Sequence, residues 1–205
     1  MKIVRKKYRD YLVQEKFKQY GDCLVEMEGY RDFLRKSHIA SQLPFGLIII
    51  PIIQMTFANV LENDNWQLII LAILARICLI IILYLVLSVF HEFIHYLFLF
   101  GNKTKKFIII GGSGIEVASV YYDDFITKSH DLIVTISPFA VYCIVCLLMF
   151  LFNVNTLFIY WVLYLNLAMS NVDIINFVYT IIKVPRNSVV YGNYIYSEQI
   201  TIGRA

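Results

Sequence analysis

The sequence predicts an all-α polytopic membrane protein of about four transmembrane helices, with a small β-hairpin after the second span and another at the C-terminus. Three observations carry that prediction. Of the 205 residues, 59% are hydrophobic, and the mean hydropathy of +0.66 lies well above that of an ordinary globular domain. The apolar residues gather in runs near the roughly 20 positions a bilayer core requires. Lys and Arg are sorted by those runs, which is a topology signal. The net charge of +3 is small. The N-terminal basic cluster lacks the aromatic interleaving of a nucleic-acid surface, so no nucleic-acid partner is expected.

Residues 1–42 hold ten Lys and Arg against six Asp and Glu. They read as a solvated cytoplasmic N-terminal segment of one or two short helices. The first forty residues contain no apolar h-region, so no cleavable secretory signal is expected. A first span is predicted over Leu43–Leu61 (LPFGLIIIPIIQMTFANVL), kinked at Pro51, and the ENDN loop closes a helical hairpin. Apolar sequence then runs from Trp66 to Phe100, interrupted by Arg76 and by HEFIH at His91–His95. As one helix it measures about 50 Å, longer than a bilayer core, so it must tilt, break near Arg76 or project.

Three lysines in GNKTKK end that run. KFIIIGGSGIEVASVYY follows, with β-branched residues on both sides of Gly111-Gly112-Ser113-Gly114, the pattern of a β-hairpin. A third span is predicted over Asp131–Phe152, and a fourth from Leu157 to about Ile182 after a short NVNT loop. The tail SVVYGNYIYSEQITI reads as a second hairpin turning on Gly192-Asn193. This divides the chain into the segment 1–42, a membrane-embedded domain 43–182 and a cytoplasmic tail 183–205. With both termini inside, the outer loops ENDN and NVNT carry no Lys or Arg, and the inner segments carry every basic residue except Arg76. A multi-pass protein of the cell membrane with cytoplasmic termini is therefore expected. The Ile-, Lys-, Asn- and Tyr-rich usage suits a bacterium. Four scattered cysteines make no disulfide framework, and Cys143-x-x-Cys146 lies in apolar surroundings that disfavour a thiolate.

HEFIH is an H-E-x-x-H pattern on a helix. His91 and His95, at i and i+4, lie on one face and can ligate one Zn²⁺, with Glu92 beside the metal as a base for bound water. Ionisable groups at membrane depth are costly, which strengthens the signal. The competing reading is a structural polar cluster bonding neighbouring helices. Catalytic zinc commonly takes three protein ligands, and Asp173 is the one acidic residue inside another predicted span. His91 and His95 lie about 8–14 Å from the cytoplasmic end of their span, and Asp173 about 14 Å from the end of its own. Asn166, Ser170 and Asp173 form one polar stripe, readable as substrate or supporting contacts near the metal, or as plain interhelical hydrogen bonding. Glu116 could approach from the hairpin, but strand alternation places it on the solvent side. Asp123, Asp124, His130 and Asp131 read as solvated at the membrane surface, His38 as an ordinary surface histidine, and Arg76 as snorkelling or pairing with a lipid phosphate.

HEFIH on a span, ISPF (Ile136–Phe139) opening a later span and N-x-x-x-S-x-x-D (Asn166–Asp173) together resemble the bacterial putative zincin peptidases of the membrane, distant relatives of the site-two intramembrane metalloproteases. The stretch from Asp173 through VPRNSVVYGNYIYSE is similar to that family too, and the resemblance covers roughly residues 43–200. It implies zinc held by His91, His95 and Asp173, with Glu92 as catalytic base. Site-two proteases carry their aspartate in a proline-containing Asn…Asp-Gly motif. Here those prolines and the following glycine are missing, which weakens a substrate-guiding role for Asn166 more than a ligand role for Asp173.

The expected function is a membrane-embedded zinc metalloprotease acting on membrane proteins or peptides, with the lipid bilayer as its surroundings. The 107–120 hairpin could present an edge strand to an extended substrate or be a plain connection. A rival class is a non-proteolytic membrane binding or immunity-type protein, separated from the first by the effect of Glu92→Gln. A metal transporter would need ionisable residues through both leaflets, and the outer halves of these spans supply almost none.

Overall fold

The computed structural model describes residues 24–26, 30–61, 65–101, 106–109, 118–122, 126–191 and 194–196. Five helices dominate them: α1 (Tyr30–Leu61), α2 (Trp66–Phe98), α3 (Lys128–Leu151), α4 (Thr156–Met169) and α5 (Asn171–Lys183). Six short strands complete the described chain: β1 (Leu24–Glu26), β2 (Lys106–Ile109), β3 (Ala118–Tyr121), β4 (Ile126–Thr127), β5 (Val189–Tyr191) and β6 (Tyr194–Tyr196). By length and composition α2 and α3 can each cross a membrane, and the bent pair α4–α5 makes a third crossing if counted as one span. Within α1 the shorter apolar stretch is Gly46–Ala58.

Local chemistry sets the helix ends. The side chain of Asn65 accepts from the Gln67 N–H at 3.0 Å, and that of Asn155 accepts from the N–H groups of Leu157 and Phe158, satisfying orphan donors at the starts of α2 and α4. Thr127 does the same for α3 through the His130 N–H. Two side chains on the first turn of α3 close the C-terminal ends of its neighbours. Lys128 Nζ donates to the carbonyls of Ile181 and Val184 at the end of α5. His130 Nε2 meets the Phe98 carbonyl at 2.9 Å, at the end of α2. Both groups satisfy helix-end carbonyls, and the lysine's charge suits the partial negative charge of a helix C-terminus.

The core lies where α2, α3 and α4 meet, around Leu87, Ile94, Tyr142, Cys146, Val162 and Leu165. Tyr142 donates its hydroxyl to the Leu87 carbonyl at 2.8 Å, which locks α2 to α3 half-way along. Outward faces remain apolar and exposed, as at Leu71, Leu79, Leu147 and Phe150, a surface that suits lipid rather than water. Strands β1, β6, β5 and β4 form one antiparallel sheet in that order, and β2 pairs with β3 antiparallel, Phe107 opposite Val120.

Several expectations change. The 66–100 run is one helix that ends at Phe98 and does not break near Arg76. The run 157–182 is not one helix: it breaks at Ser170, and α4 and α5 meet at a bend of 50°. No glycine or proline causes the break. The Ser170 N–H bonds the Asn166 carbonyl and the Ser170 carbonyl takes the Ile174 N–H, each at 2.8 Å, so pairing continues on both sides of the joint. The segment 1–42 contains β1, paired with β6 of the tail, besides its helical part. Helix α1 runs unbroken through Pro44 and Pro51, across the boundary expected at residue 42. The turns at 111–114 and 192–193 lie outside the described residues.

Candidate metal centre

Two turns of α2 present His91 and His95 on one face, their rings 5.0 Å apart and nearly perpendicular. Nε2 of His91 and Nε2 of His95 converge on Oδ2 of Asp173, at 2.9 and 3.3 Å. The ligand atoms of the three residues all lie within 4.8 Å of one another. Donors about 2 Å from a tetrahedral ion sit about 3.3 Å apart, so two imidazoles and a carboxylate this close could hold a zinc-sized cation. His91 is buried, and His95 and Asp173 are half-buried, so the three polar groups have little water to satisfy them. The break at Ser170 explains how Asp173 reaches the site. It places Asp173 in the first turn of α5, where the helix N-terminus favours a carboxylate.

The model of the putative zincin peptidase family matches residues 84–189, just over half of the 205-residue chain. The chain belongs to this family. No curated protein and no solved structure matches it. The stretch typical of the zincin family begins about two turns before the motif of α2 and ends at β5. It therefore contains every residue of the cluster and most of the groups that hold it in place. Membership points to a metallopeptidase, and to zinc as the ion for the His91–His95–Asp173 group.

The surroundings of this zincin cluster orient its donors. His95 Nδ1 lies 2.8 Å from the Val134 carbonyl on α3. A carbonyl only accepts, so Nδ1 carries a proton and Nε2 is the ring nitrogen turned towards Asp173 and available to a metal. Val134 can spare that carbonyl because residue 138, its helical partner four positions on, is Pro138 and has no N–H. The same oxygen also accepts from Ser137 Oγ at 2.8 Å. Among the described residues, His91 Nδ1 is buried without a hydrogen-bond partner.

The Glu92 carboxylate reaches β3, where it accepts the Val120 N–H at 3.1 Å. The two-stranded sheet thus lies against the base candidate, and β3 is the strand that faces it. Asn166 and Ser170 are fully buried and bond each other, Ser170 Oγ donating to Asn166 Oδ1 at 3.1 Å. They stand at the helix joint next to Asp173 and make no bond to the two histidines.

The remaining candidates fall elsewhere. His130 is not simply solvated: it caps α2 and stacks on Phe100 with ring centroids 5.0 Å apart. Asp131 is half-buried and accepts from Thr180 Oγ1 at 3.3 Å, tying α3 to α5. Cys143 and Cys146 are unbonded thiols, Cys146 being buried in the core. Glu116, Asp123, Asp124 and the side chain of His38 lie outside the described residues. Sequence reasoning did not find the Val134 carbonyl or the Val120 amide. Pro138 was the visible signal for the first, since a proline inside a helix always frees the carbonyl four residues before it.

Proposed function

We propose that the chain is a membrane-embedded zinc metalloprotease, with His91, His95 and Asp173 as metal ligands and Glu92 as catalytic base. One observation carries the reading: both imidazole Nε2 atoms of an H-E-x-x-H helix meet a single carboxylate oxygen of a distant helix, at 2.9 and 3.3 Å. Zinc bound there would lower the pKa of a bound water and polarise a peptide carbonyl. Glu92, one residue from His91, would serve as the base for that water's proton and as the acid for the leaving amine. The Val134 carbonyl takes His95 Nδ1 and so orients the ring with Nε2 towards the metal position. Strand β3 stands beside Glu92 and can pair with an extended substrate. That matters because a helical substrate hides its carbonyls.

In this reading the domain 43–182 makes four spans, the termini and the site face the cytoplasm, and a polar cleft between the second and fourth spans admits water. The distribution of Lys and Arg supports the orientation. Substrates are membrane proteins or membrane-associated peptides. The test is Glu92→Gln in the native membrane: the variant keeps its metal, cleaves nothing, and accumulates uncut substrate that membrane proteomics identifies. A Glu92→Gln protein with undiminished biological activity refutes proteolysis and favours a binding role.

A further inference from the structure

Strand β3 has two edges. One pairs with β2, Lys106–Ile109 running antiparallel to Ala118–Tyr121. Among the described residues no strand pairs with the other. In an antiparallel pair the backbone groups of successive residues point alternately to the partner strand and away from it. The Val120 N–H goes to Glu92 Oε2 at 3.1 Å, so Val120 and the Phe107 opposite it form a pair without ladder hydrogen bonds. The register then turns the N–H and carbonyl groups of Ala118 and Val120 to the free edge, and those of Ser119 and Tyr121 to β2. The free edge faces α2 at the glutamate of the H-E-x-x-H motif.

The strand is anchored there. The Val120 side chain packs on the buried cluster of Leu99, Ile126 and Val134, and Val134 is the residue whose carbonyl meets His95. The contact at the edge joins a carboxylate to a backbone N–H, which is a hydrogen bond of the stronger, charge-assisted kind. An extended peptide adds to a sheet edge by placing its carbonyls on the edge N–H groups. On β3 those donors are the N–H groups of Ala118 and Val120, and the second is already taken by Glu92. One N–H makes one well-aligned bond, so a peptide carbonyl at Val120 has to displace the carboxylate.

We propose that the Val120 amide latches Glu92 while no peptide is bound, and that an extended substrate pairing with β3 takes this N–H and frees the carboxylate for water at the metal position. The inference rests on the protease reading above and adds a condition to it. One hydrogen bond replaces another, so the exchange is nearly balanced, and it ties recognition to chemistry. A helical segment, whose carbonyls are already bonded, leaves the base latched. An unwound segment releases it.

The test is hydrogen–deuterium exchange, resolved to single amides by mass spectrometry, on the zinc-loaded full chain in detergent with and without a tripeptidyl hydroxamate. Without that ligand, the Val120 amide of Glu92→Ala should exchange about ten-fold or more faster than in wild type, the loss of a charged hydrogen bond. The Ser119 amide, which faces β2, should not change. Glu92→Gln keeps an oxygen acceptor and should stay close to wild type. Saturating hydroxamate should return Val120 of Glu92→Ala to wild-type protection, its peptide carbonyl replacing the lost carboxylate. Equal Val120 exchange in wild type and Glu92→Ala overturns the proposal, as does equal acceleration at Ser119, which describes a loosened hairpin. A hydroxamate that native mass spectrometry finds bound to Glu92→Ala, with Val120 still unprotected, overturns the exchange and leaves the protease reading standing. A hydroxamate that binds neither form fails the protease reading, and the exchange falls with it.

Discussion

Replacing Pro138 with alanine should stabilise the helix and weaken the metal site at once. In the native chain the Val134 carbonyl accepts from His95 Nδ1 and Ser137 Oγ, both at 2.8 Å. Those two donors fill its two lone pairs. Alanine at 138 restores an N–H aimed at the same oxygen along the helix axis, so three donors compete for two positions. The helical bond is local and covalently positioned, and the histidine is the donor that gives way. Losing the group that orients a ligating imidazole typically lowers metal affinity about 10- to 100-fold, or about 1.4–2.7 kcal/mol. Removing an interior proline acts the other way on the fold, by up to about 3 kcal/mol in water and less within a membrane. The assay is a pair of measurements in detergent, zinc affinity by chelator competition and Tm of the metal-free protein. The expected signature is weaker zinc with an unchanged or higher Tm. Unchanged affinity would refute the argument, because it would show that the freed carbonyl does not orient His95. A fall in both would assign the effect to packing, since Pro138 is buried.

Two further substitutions probe how the site is held. Ser170→Ala removes the bond to Asn166 Oδ1 and leaves a fully buried amide with no partner; the cost should be about 1–3 kcal/mol, read as a lower Tm together with weaker metal binding as the α4–α5 joint loosens. Lys128→Met strips the cation from the end of α5, which should cost about 1 kcal/mol of stability and leave metal affinity unchanged, as thermal melting and chelator competition can show.

The chain shows unevenly what it will become. HEFIH was legible because two histidines one turn apart on a helix have only one geometry, and α2 is unbroken through the motif. Asp173 was legible by depth alone, as the acidic residue of another apolar run. Its local setting was hidden: the break at Ser170 has neither glycine nor proline to announce it, only two small polar residues whose side chains bond each other. His130 and Asp131 looked like solvated border charges because charge beside an apolar run usually is, whereas one caps α2 and the other ties α3 to α5. The pairing of β1 with β6 joins segments about 170 residues apart in sequence, and no local propensity reports a partner at that distance. Backbone groups are the least visible of all. The Val134 carbonyl has no letter of its own, and only Pro138 betrays it.

The central claim is that His91, His95 and Asp173 hold one zinc ion. Elemental analysis of the purified full chain beside His91→Ala, Asp173→Asn and Glu92→Gln tests it most directly. The account predicts one zinc per chain in the wild type and in Glu92→Gln, with little or none in the two ligand variants. Zinc absent from the wild type, or retained in full by His91→Ala, would contradict it.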